Sequence, residues 1–209
     1  MNTETPPINY TCSLGALCFS SQLLKRNHIK LCSYPFDWIF SNTAMILHCL
    51  EDNFKTFLYK SYYISPRAGV CNHTYYNTLP TLFNHHNPIL EKDYAYFERC
   101  VSRFNTLLQR DGHKLFVMVS RTDTNKNGII MFNTKLATRV SNYTLLHISI
   151  EQHESQYSHT FTYKDNIHFL EVHILSRTNG VEFINDDDNK YLDSILMDKY
   201  RFELLPVSS

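Results

Sequence analysis

The chain has 209 residues, 43% hydrophobic and 14% aromatic, enough to bury one sizeable core, and this predicts a single domain over residues 1–209. Lys plus Arg and Asp plus Glu both total 20, so no net field draws in nucleic acid or an anionic membrane, and neither is expected as a partner. No apolar run approaches the length of a membrane span, and Met1–Pro7 lacks a basic region followed by an apolar one; the expected location is the cytoplasm, without secretion.

Ile8–Cys12 is short and β-prone, and Leu17–Asn27 reads as a helix, with Ser13-Leu14-Gly15-Ala16-Leu17-Cys18 turning the corner between them. Lys30–Trp38 is extended and aromatic, and Pro35 excludes a helix there. Asn42–Leu50 is a second helix, capped by Ser41 or Asn42. Lys60–Glu91 is a long irregular segment carrying Pro66, Gly69, Pro80 and Pro88 together with His73, His85 and His86.

Lys92–Arg110 carries the clearest helical stripe: Tyr94, Phe97, Val101, Phe104 and Leu108 are spaced by three or four, and Gly112 ends it. Lys114–Val119 is a continuous apolar run, the mark of a strand buried on both faces. Ile129–Ser141 reads as a helix, Tyr143–Ile150 and Ile167–Leu175 as strands, Asp188–Lys199 as a helix and Phe202–Leu205 as a last strand. This order predicts an α/β fold, a three-layer domain with a mainly parallel sheet and a nucleophile at the first strand–helix corner; an α+β arrangement of the papain type is the alternative. In such sheets, sites form beyond the carboxyl ends of strands.

Six cysteines, Cys12, Cys18, Cys32, Cys49, Cys71 and Cys100, are irregularly spaced without a Cys-x-x-Cys pair, which fits reduced thiols. Cys49 and Cys100 fall on apolar stripes and read as core. Cys18 differs. At a helix N-terminus, free N–H groups and the helix dipole favour thiolate, the nucleophilic form, so a lowered pKa and fast alkylation are expected. Gly15 permits a tight turn or close approach of a ligand, and Ser13 could cap the helix or donate to an oxyanion. A cysteine nucleophile needs an imidazole, and His85-His86 in the long loop supply one. Asp37, between Phe36 and Trp38, is either a cap or an acid that orients a histidine. Asp186-Asp187-Asp188 lacks the spacing and glycine of a calcium loop and reads as a solvated run capping the last helix. Cys71 and His73 have no second pair at zinc spacing, so neither metal nor cofactor is expected.

Several runs occur in one order: Ser13-Leu14-Gly15-x-x-Cys18, Leu24-Lys25-Arg26, Ser33-Tyr34-Pro35-Phe36-Asp37-Trp38, Leu50-Glu51-Asp52-x-Phe54 and Phe57-Leu58. Phe83-Asn84-His85-His86-Asn87-Pro88, Tyr96-Phe97-Glu98-Arg99-Cys100, Arg103-Phe104 and Lys114-Leu115-Phe116-Val117 continue the series. Together they resemble a family of bacterial and large-DNA-virus proteins described as papain-like cysteine peptidases. The resemblance implies Cys18 as nucleophile, His85 as its base and Asp37 as the acidic partner; beside them, Ser13, Gly15 and His86 read from their positions as substrate, oxyanion or loop support. It differs from a papain-like order in one respect, since His85 here precedes a helix rather than riding on a barrel strand.

Three functions fit these residues. One is a cysteine hydrolase forming an acyl-enzyme thioester from a peptide or an acylated small molecule. Another is a thiol acyltransferase that passes the acyl group to a glycan hydroxyl. The third is a binding module in which Cys18 and His85 are structural.

Overall fold

The computed structural model describes residues 6–67, 69–76, 82–83, 85–121, 125–152 and 156–207. A five-stranded sheet in the order β1-β4-β5-β7-β6 carries the fold. Its strands are β1 (Tyr10–Ser13), β4 (Lys114–Arg121), β5 (Tyr143–Gln152), β7 (Ile167–Ile174) and β6 (Ser158–Lys164). The first four run parallel, with Tyr10 opposite Lys114, Lys114 opposite Tyr143 and Leu145 opposite Ile167. Only β6 is antiparallel, paired to β7 through a turn at Asp165-Asn166. The helices are α1 (Cys18–Arg26), α2 (Thr43–Glu51), α3 (Glu91–Gln109), α4 (Lys126–Leu136) and α5 (Asp186–Lys199). A small antiparallel pair, β2 (Tyr63–Arg67) and β3 (Val70–His73), stands apart from the main sheet.

Strand alternation divides the core into two layers. On one face Leu115, Val117 and Val119 of β4 pack with Phe19, Leu23 and Leu24 of α1 and Leu192 and Leu196 of α5. On the other, Phe116 and Met118 pack with Phe97 and Phe104 of α3, Ile129 and Phe132 of α4, and the rings of Phe36, Phe54 and Phe57. The arrangement is the expected α/β fold with a mainly parallel sheet between helical layers. Lys114, fully buried, donates to the carbonyls of Arg110, Gly112 and Ser141 and ties the end of α3 to the loop before β5. Among the described residues no helix is long and apolar enough to cross a membrane.

The first strand lies at the sheet edge. Three expectations need correction. The long segment before α3 holds β2 and β3. The stretch at Phe202 makes one bridge, to Ile8, instead of a strand. The acidic run is not all solvated: Asp188 is buried and accepts from Leu175 N–H at 3.3 Å and Ser176 N–H at 2.7 Å, while Asn185 caps α5. Burial alone would push the Asp188 pKa up, but hydrogen bonds from the Ser176 and Tyr157 hydroxyls, with those from the two N–H groups, hold it below its ordinary value.

Candidate active site

The corner after β1 is locked by hydroxyls. Ser13 Oγ accepts the Gly15 N–H at 3.2 Å and lies 2.7 Å from Ser20 Oγ, which donates to the Gly15 carbonyl at 3.0 Å. The same carbonyl accepts the Val119 N–H at 3.1 Å, fastening the corner to β4. Gly15 has φ +84°, and a Cβ there would meet Ser41 Oγ at 1.9 Å. That hydroxyl donates to the Leu14 carbonyl at 2.9 Å. Ser13 and Gly15 therefore act in this structure as corner support.

Cys18 is the first residue of α1, and Leu17, at the N-cap, offers no side-chain acceptor. First-turn N–H groups of an uncapped helix are donors left for other partners. The corner also lies where the chain reverses its direction of departure: from β1 it leaves to the α1 face, and from the neighbouring β4 to the α4 face. Such a switch point opens a crevice at the carboxyl ends of the two strands, the place where open α/β sheets bind ligands.

The thiol itself departs from expectation. Cys18 is 3% exposed, and burial pushes its pKa up to about 11; the helix N–H opposes this, and the Asp37 carboxylate adds to it. Desolvation outweighs the helix terminus, so the resting group is a neutral thiol and not the thiolate expected from position alone.

Asp37 is fully buried. Its Oδ2 accepts the Tyr34 N–H at 2.8 Å and pairs with the Lys30 ammonium, which also donates to the Cys32 carbonyl at 2.8 Å. The carboxylate thus closes the Lys30–Asp37 loop. Burial raises its pKa and Lys30 opposes that rise. Ser21, one turn beyond Cys18, faces the same carboxylate, yet Ser21 Oγ and Asp37 Oδ1 are both buried without a hydrogen-bonding partner.

The two histidines are held differently. His86 stacks on Tyr96 of α3 with centroids 4.2 Å apart, and its Nδ1 lies 3.7 Å from Asp93 Oδ1. Asp93 Oδ2 accepts the Asn87 N–H at 2.6 Å. Burial lowers the His86 pKa and Asp93 opposes it. His85 is exposed and meets Trp38 edge-on, 5.9 Å between centroids. Lys25 of α1 reaches the same indole, its Nζ 5.9 Å from the ring centroid. Trp38 therefore links His85 to the helix that Cys18 opens. Among the described residues no hydrogen bond joins Cys18 to either histidine, and Asn84 of the same motif lies outside them.

Asp93, Trp38 and Lys30 were not singled out as partners in the sequence. Asp93 could have been, as an acid in the first turn of the clearest helix a few residues after the histidine pair. Among the described residues, Glu151, Glu171 and His173 are the side chains placed to hold a metal ion, with donor atoms within 4.8 Å of one another. Carboxylate oxygens of Glu151 and Glu171 lie 3.7 and 3.3 Å from Nδ1 and Nε2 of the imidazole.

Residues 9–150 match the model of a family described as "putative papain-like cysteine peptidase". Neither a curated protein nor a solved structure gives a significant match.

Proposed function

The chain belongs to the family described as "putative papain-like cysteine peptidase", and we propose that it is a cysteine hydrolase acting on a peptide or another acyl substrate. The observation that carries this reading is Cys18 opening an uncapped helix just past the carboxyl end of β1, beside β4.

Because the resting thiol is neutral, attack requires a base at the moment of reaction. His85, exposed and with no side-chain hydrogen bond among the described residues, takes the Cys18 proton as Sγ bonds to the carbonyl carbon. The oxyanion is met by the first N–H groups of α1. Collapse forms a thioester and expels the amine, which leaves with the proton from His85. Water, activated by the same imidazole, then releases the acid and restores the thiol. His86, clamped between Tyr96 and Asp93, holds the loop. Asp37 holds the Trp38 segment through the Lys30 ammonium and the Tyr34 N–H. The substrate is a peptide or acylated small molecule, and the working compartment is the cytoplasm.

Turnover of fluorogenic peptides and activated acyl esters tests this. Cys18→Ala abolishes it, His85→Ala lowers it by roughly 10²–10⁴-fold, and the double variant is no worse than Cys18→Ala, since a nucleophile and its base act as a unit. Wild-type rates in both single variants would reduce the pair to a structural role in a binding module.

A further inference from the structure

The pairing of β5 with β7 assembles three metal-ligating side chains that carry no metal-binding spacing in the sequence. Glu151 stands opposite His173 in the register of the two strands, and Glu171, two residues before His173, shares its face. Glu171 Oε1 lies 3.3 Å from His173 Nε2 and Glu151 Oε2 lies 3.7 Å from Nδ1. One donor atom from each residue falls within 4.8 Å of the other two. A zinc ion holds such ligands at about 2.0–2.2 Å, which spaces tetrahedral donors roughly 3.3–3.6 Å apart. Both glutamates are partly exposed, so small side-chain rotations bring the set onto that spacing.

Charge balance also asks for a cation here. Two carboxylates share one imidazole, so the group stays net negative whether the ring is neutral or protonated. Among the described residues no lysine or arginine forms an ion pair with either glutamate. Like charges brought together on neighbouring strands are destabilising, and a divalent ion between them removes that cost.

A separate observation comes from the adjoining cavity. Glu151 and Glu171 line a space of about 390 Å³, together with Ser149, Thr160, Lys126 and His147. His147 is 2% exposed; its Nε2 lies 2.9 Å from Ser120 Oγ, and its Nδ1 has no hydrogen-bonding partner among the described residues. A buried polar atom without a partner costs free energy, so this nitrogen calls for an occupant of the cavity. The position is the carboxyl end of β5 and β7, where open α/β sheets bind ligands. Helix α1, which Cys18 opens, packs on the opposite face of the sheet.

We infer that Glu151, Glu171 and His173 bind a divalent transition-metal ion of the zinc type between β5 and β7. The imidazole favours such an ion over magnesium and calcium, which take oxygen ligands. Three protein ligands leave a fourth coordination position, as in zinc sites that hold a water or a substrate atom. That position falls to a water or a small ligand in the cavity.

The test titrates the full chain, stripped with a chelator, with zinc and with cobalt at neutral pH, followed by calorimetry and visible absorption. One equivalent should bind, and the cobalt spectrum should lack thiolate charge transfer. Glu151→Gln, Glu171→Gln and His173→Gln should each weaken binding by roughly 10–100-fold or more, since losing even a supporting partner of a ligand costs that much. Should a variant fail to fold, carbethoxylation of the wild-type histidines, mapped by mass spectrometry, decides: His173 reacts in the stripped chain and is protected by one equivalent of zinc, while His85 reacts equally in both. Absence of binding at millimolar zinc, binding that any of the three substitutions leaves unchanged, thiolate charge transfer with cobalt, or His173 modified equally with and without zinc would overturn the inference. Magnesium or calcium binding as tightly as zinc would overturn the choice of metal. The readouts are binding and protection, so none of them depends on the reading of Cys18.

Discussion

Gly15→Ala is the sharpest probe of the corner that presents Cys18. At φ +84° an L-residue costs roughly 1–2 kcal/mol. The new Cβ, 1.9 Å from Ser41 Oγ, also forces that hydroxyl away from the Leu14 carbonyl. Loss of such a buried hydrogen bond costs about 1 kcal/mol more. The sum is about 2–3 kcal/mol, or roughly 4–12 °C in Tm for a chain of this size. Urea denaturation followed by circular dichroism measures it. Ser41→Gly alone removes the hydrogen bond but no strain, so the double variant should be less destabilised than the two single effects added together. A Gly15→Ala chain within 0.5 kcal/mol of wild type, or strict additivity with Ser41→Gly, would refute the account of the corner.

Two further predictions concern stability. Asp188→Ala leaves the N–H groups of Leu175 and Ser176 without their buried acceptor and should cost about 2–4 kcal/mol, read as a lowered urea midpoint. Because the folded pKa of Asp188 lies below its ordinary value, its contribution is present at neutral pH and is lost as pH falls through the acid range. His73 is fully buried, with Nε2 3.1 Å from the Thr56 carbonyl, and burial holds its pKa down to about 4. The unfolded chain takes up that proton first, so stability falls as pH drops from 6.5 toward 4, by up to roughly 3 kcal/mol from this group. His73→Leu should flatten that part of the urea-midpoint profile.

The sequence speaks clearly where a local pattern decides the outcome. The stripe Tyr94, Phe97, Val101, Phe104, Leu108 marks α3, and the continuous apolar run from Leu115 to Val119 marks a strand covered on both faces. The Ser13–Cys18 corner is equally local, because a glycine between a β-prone run and a helix has few other uses. β6 escaped because it is an edge strand with almost every residue exposed, leaving no buried face to create an apolar alternation; Thr160-Phe161-Thr162-Tyr163 before Asp165-Asn166 was the available signal. The edge position of β1 depends on pairing with β4, about a hundred residues away, and no local rule reports it. The same holds at the site. Lys30 and Asp37 meet through a loop closure, and His86 meets Asp93 through the packing of α3, so which carboxylate serves which partner became visible only in three dimensions. The Cys18 pKa depends on burial against a helix terminus, a balance that position in the sequence leaves open.

The central claim is that Cys18 is a neutral thiol activated by a base only as it attacks an acyl group. Alkylation by iodoacetamide needs thiolate already formed, whereas acylation from an ester seated in the crevice can use His85 in the transition state. The decisive measurement compares both reactions at Cys18 at pH 7.5 by peptide mapping, with a small free thiol as reference. Alkylation should be slower than that of the free thiol, acylation by an activated ester faster, and that acylation should be lost in His85→Ala. Equal ratios for Cys18 and the free thiol, or an acyl adduct absent from Cys18 in the folded chain, would contradict it.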